Sequence, residues 1–167
     1  PVMMDMEAMN KIKSEVTTSF QKAYWDNFKQ TIDSDDWSYF SKLLEEILYR
    51  FQAMVPRRKD VQEELQERLS YNHQKESPPS LEQAREWGNY MVEMMGHFQA
   101  PSEEEDRDKF WEKLQNTLPF GREDLDSTLG AYFSMLFEWV MTRQDIIFQQ
   151  IMLSSQKKNQ PKNIEKI

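Results

Sequence analysis

Two histidines, twenty-nine carboxylates and no cysteine are the groups from which this chain could build a catalytic or metal site. A protein-held transition metal needs several donors converging at helical or tight-loop spacing, and neither His73 nor His97 has a companion at such spacing. The run "DSDD" at 33–36 opens a twelve-residue stretch, 35–46, that ends on Glu46 as a calcium loop would. Trp37 and Phe40, however, stand where that loop requires an oxygen ligand and a glycine. Helix capping accounts for these acids better, and the same holds for "SEEEDRD" at 102–108, where carboxylates in a first turn complement the helix dipole. Glu45 and Glu46 are adjacent, so on a helix they point about 100° apart and do not share a substrate. No glycine-rich phosphate loop, nucleophile elbow or kinase signature occurs. The residue types therefore argue against an enzyme and against any bound metal or cofactor.

The elements that would position a site are helical. Four glycines and seven prolines are spread over 167 residues, with the prolines falling between patterned segments. The spacing predicts a first helix over 5–31, with Met9, Ile12, Val16, Phe20, Ala23, Tyr24 and Phe28 recurring at three- and four-residue steps. A second, over 36–55, carries Phe40, Leu43, Leu44, Ile47, Leu48, Phe51 and Met54 on one stripe and stops at Pro56. A third, over 59–71, has only Val61, Leu65 and Leu69, a narrow stripe that suits the bundle surface. "NHQKESPPS" reads as an exposed, mobile linker.

The stretch "EWGNYMVEMMGHFQAP" lies in a fourth helix, 80–99, with Ala84, Trp87, Tyr90, Met91, Met94, Met95 and Phe98 on one broad arc. Gly88 and Gly96 would let another backbone approach closely. Ser102 and Glu105 have capping-box spacing for a fifth helix bearing Phe110, Trp111 and Leu114, which the "PFG" at 119–121 ends. The last helix, 123–154, is apolar over more than half its circumference and belongs at the bundle centre. The fold expected is all-α, a single helical bundle of about six helices over 1–154 with a central hydrophobic C-terminal helix. The polar, basic tail 155–167 is expected to be disordered.

Charge narrows the partners. A net charge of −8 and a pI near 4.9 disfavour nucleic acid and anionic lipid surfaces. The longest nearly apolar run, "LGAYFSMLFEWVM", is interrupted by Glu138 and is shorter than the roughly 20 residues a membrane span needs. Stable membrane insertion is not expected. Attachment of the first helix to a membrane surface is weak, because its polar face mixes Asp5, Glu7 and Glu15 with few lysines. The absence of cysteine suits a cytoplasmic or nuclear protein, and a cytoplasmic one is expected. What remains is a partner-binding role. Methionines fill ordinary cores and also adapt their packing to different surfaces, so this face is either core or a partly exposed groove; on the second reading Trp25, Trp87, Met91 and Met95 are the candidate partner-binding residues, accepting a helix of another protein. The alternative is a structural module that self-associates, as a homo-oligomer, through the long first helix.

Several segments resemble the T-complex protein 11 family: "YWDNF" at 24–28, "SKLLEEI" at 41–47, "MVP" at 54–56, "LQERL" at 65–69, Ala100-Pro101 before an acidic stretch, and "LFEWVMTRQDIIFQQI" at 136–151. The resemblance spans 20–151. Gln99 departs from it, standing where family members commonly have cysteine, and members continue further toward the C-terminus, so the chain is similar to an N-terminal portion. The resemblance implies a regulatory, protein-binding role linked to cyclic-AMP and protein kinase A signalling and to sperm function. It implies no catalytic residues.

Overall fold

The computed structural model describes residues 6–118 and 125–158. They form six α-helices and one 3-10 turn: α1 Met6–Asp33, α2 Ser38–Met54, α3 Lys59–Leu69, α4 Leu81–Gly96, the turn Pro101–Glu103, α5 Glu104–Gln115 and α6 Leu125–Lys158. Among the described residues there is no strand, and the protein is an all-α bundle as its periodicity requires.

Helix α6 is the centre, contacting α1, α2, α4 and α5. Its direction relative to each follows from paired residues. Trp25 of α1 meets Ser134 and, four residues on, Lys29 meets Gly130, so α1 and α6 run antiparallel. On α2, Phe40 meets Phe133 and Ile47 meets Gln144, so those two helices run parallel. Phe40 is fully buried and packs against Trp37, Tyr71, Trp87, Phe133 and Phe137, tying three helices and two connections into one aromatic core. Gln144 is the buried polar residue of that core. Its Nε2–H donates to the Ile47 carbonyl at 3.1 Å and so fixes α2 on α6.

Local chemistry sets the helix ends. Helix α1 stops in a Schellman arrangement: the Asp36 N–H donates to the Thr31 carbonyl at 2.8 Å and the Asp35 N–H to the Ile32 carbonyl at 2.9 Å. Asp35 takes the left-handed position, φ 61°, that glycine usually fills. The carboxylate of Asp36 then accepts from the N–H of Ser38, bearing out the capping reading of "DSDD". The capping box expected at Ser102 and Glu105 is absent. A turn led by Pro101 enters α5 instead, with no side-chain cap at Glu103.

The segment 72–80 is the exposed loop expected, apart from Pro79, but it is tied down rather than loose. The Tyr71 hydroxyl donates to the Ser77 carbonyl, the Glu76 carboxylate accepts from the Asn72 N–H, and Pro79 is buried, so the segment is pinned to the bundle. Helix α6 continues through 155–158, where the sequence suggested a tail. The remainder of that tail, and the break at 119–121, lie outside the described residues.

Candidate docking surface

Three of the four residues expected to bind a partner are core. Met91 and Met95 are fully buried and Trp87 is nearly so, with its indole N–H donating to the Arg68 carbonyl at the end of α3. Of the two readings of this face, core is the one the structure shows, and the cause is simple. Helix α4 is covered by α3 on one side and by α5 and α6 on the others, so its apolar arc, which also includes Val92, is used entirely inside the bundle. A partner could reach these methionines only by opening the domain.

The two glycines serve side chains rather than a second backbone. A Cβ on residue 88 would collide with the Tyr132 phenol, and one on residue 96 would lie 3.0 Å from Arg107 Nε. The close backbone approach falls at Gly130, where a Cβ would stand 2.9 Å from the Lys29 carbonyl and against the Asp33 carboxylate.

Trp25 is half-buried. It packs edge-on against Tyr24 and Phe28, at the point where α1 leaves the bundle. On the N-terminal side of it every residue from 6 to 24 is exposed although the segment is helical. The stripe Met9, Ile12, Val16 and Phe20 therefore faces solvent, with Ile12 47 %, Val16 48 % and Phe20 73 % accessible.

Sequence spacing placed these residues on one stripe with Phe28, yet only Phe28 and Ile32 are buried on α1. At about 100° per residue, Phe28 and Ile32 lie about 100 to 140° round the helix from Met9. The bundle takes the Phe28 face. The Met9 face points elsewhere, and this offset was legible from the helical wheel. Because α1 and α6 are antiparallel, the exposed Ile151, Met152 and Leu153 of α6 lie at the same end of the molecule. Together they make an apolar end on an otherwise acidic domain.

The remaining concave features offer little chemistry. A cleft of about 590 Å³ borders Ile32, Asp33, Asp35, Trp37 and Leu129. Asp35 accepts from the Trp37 indole at 2.9 Å and Asp33 pairs with Lys29 at 3.8 Å, so neither carboxylate is poised as a base. A smaller notch of about 230 Å³ lies between α3 and α4, with Glu64, Arg68, Tyr90, Glu93 and His97. The Arg68 guanidinium covers the Tyr90 ring at 4.3 Å, and burial, aided by the charge on Glu64, pushes the Tyr90 phenol up to about 12. Burial also raises the Tyr132 phenol strongly. A phenol so held neither donates a proton readily nor forms a nucleophile near neutral pH.

Among the described residues no cluster of His, Asp or Glu could hold a metal ion. His73 is exposed, its Nδ1 lying 3.2 Å from Ser41 Oγ, and His97 is exposed at the end of α4. "VPRRKD" is a surface junction in which the Arg58 guanidinium donates twice to the Asp60 carboxylate, at 3.0 and 2.9 Å. That pairing holds the Asp60 carboxyl down at about 2. No helix among the described residues is long and apolar enough to cross a membrane. Compared with family models, curated proteins and solved structures, the chain matches none.

Proposed function

We propose that the protein is a non-catalytic regulatory domain that acts by binding another protein, and that the contact is made at the end formed by the N-terminal part of α1 and the last turns of α6. The observation that carries this reading is the solvent-facing stripe Met9, Ile12, Val16 and Phe20. Scattered surface apolar residues need no explanation, whereas a stripe following one helix face over about three turns is the pattern by which a helix docks. Trp25 flanks it and keeps its part in the reading. Trp87, Met91 and Met95 drop out.

The resemblance to the T-complex protein 11 family, with its links to cyclic-AMP and protein kinase A signalling, supports a regulatory partner-binding role. The proposal sets the chain in the cytoplasm, in keeping with a sequence that has no cysteine to oxidise.

The test is affinity capture by the intact chain, comparing wild type with I12E/F20E and with M95S. A partner held through the stripe is lost in the first variant and kept by the second at temperatures where it remains folded. Equal capture by wild type and I12E/F20E overturns the placement.

A further inference from the structure

Resting on the reading of the α1 stripe as a docking face, we infer that its partner is a second copy of this chain, paired antiparallel through the N-terminal part of α1. Each copy then buries Met9, Ile12, Val16 and Phe20 against the same four side chains of the other.

The first support is the state of the segment itself. Residues 6–24 are helical yet exposed throughout. A helix of this length is marginal in water unless tertiary contacts cover an amphipathic face. The face available for cover is the apolar one, which the bundle leaves open.

The second support is charge. The chain carries a net charge of −8, so most pairs of its surfaces repel one another. The N-terminal part of α1 is near neutral, with Lys11, Lys13 and Lys22 against Glu7 and Glu15. It can meet its own copy without like-charge repulsion, and its mixed signs allow pairing across the interface.

The third is geometry, which selects the orientation. Parallel pairing would bring the two acidic bundles together at one end of the paired helices. Antiparallel pairing sets them at opposite ends, about 28 Å of helix apart, well beyond the Debye length of about 8 Å at physiological salt. Either pairing gives a closed two-fold contact, the commonest symmetry of homo-oligomers, so the separation of charge decides between them. A single helix face is smaller than a standard interface, so the dimer should dissociate on dilution through the micromolar range.

The experiment is sedimentation of the full chain over a concentration series, with far-UV circular dichroism as the check on folding. The mass should rise from one copy to two. The variant I12E/V16E, whose changes lie on exposed positions, should keep a folded bundle and remain monomeric. Orientation is read by single cysteines in a chain that otherwise has none: M9C mixed with F20C should form a mixed disulfide, while neither variant crosslinks efficiently alone.

A wild type that is monomeric at every concentration overturns self-pairing. So does an I12E/V16E variant that dimerises like wild type. Efficient crosslinking of M9C with itself overturns the antiparallel arrangement. If the chain is monomeric and capture of a different protein is nonetheless abolished by I12E/F20E, the stripe docks a foreign partner: the docking face survives and the second copy does not. If capture is unaffected as well, both fail.

Discussion

The phenol of Tyr132, on α6, fills the space that a Cβ on residue 88 of α4 would need. That relationship makes Gly88 a packing requirement. Gly88→Ala should destabilise the domain by about 1–3 kcal/mol through overpacking, lowering Tm by roughly 2–4 °C for each kcal/mol. The Tyr132 hydroxyl is buried without a hydrogen-bond partner, so Tyr132→Phe should be neutral or stabilising. The double variant should recover part of the loss, and a thermal-melt double-mutant cycle measures the coupling.

Asp35 closes α1 in a left-handed conformation and accepts a hydrogen bond from the Trp37 indole, which opens α2. Asp35→Asn keeps both tolerances and should change stability little. Asp35→Val should cost about 1–2 kcal/mol, since a β-branched residue is strained there. Denaturant midpoints decide between these outcomes, and equal midpoints for the two variants would show that the turn does not depend on this residue.

Methionines 91 and 95 have no exposed surface. Met95→Ala should lower unfolding free energy by about 2–5 kcal/mol. Val16→Ala, on the solvent-facing stripe, should change the stability of dilute protein by no more than about 0.5 kcal/mol. Urea titrations separate them, and similar losses at the two positions would mean that the N-terminal part of α1 is packed after all.

Alkaline pH offers a further check. A phenol in the unfolded chain titrates near 10, while Tyr90 in the folded protein is pushed up to about 12 and Tyr132 is raised strongly, each chiefly by burial. The folded state therefore holds protons that the unfolded state has released. The stability from these groups is complete below pH of about 10 and is lost as pH rises toward the folded values. Absorbance near 295 nm should show two phenols silent until the bundle unfolds. A smooth titration of all six tyrosines before loss of helix contradicts that environment.

Period and punctuation alone determined the helices. Phe40, Leu44, Ile47 and Phe51 recur at helical steps and are all buried on α2, and prolines bound the elements as backbone sterics require. What spacing could not decide is which apolar face meets a neighbour. Met91 and Met95 on α4 and Met9 and Ile12 on α1 have the same kind of pattern, yet the first pair is sealed beneath neighbouring helices and the second is left in solvent. Hydrophobic periodicity encodes the existence of a face that must be covered. Its covering depends on where other helices pass, and only the tertiary arrangement, with α6 at the centre and the residues of α1 before Trp25 left exposed, settles that.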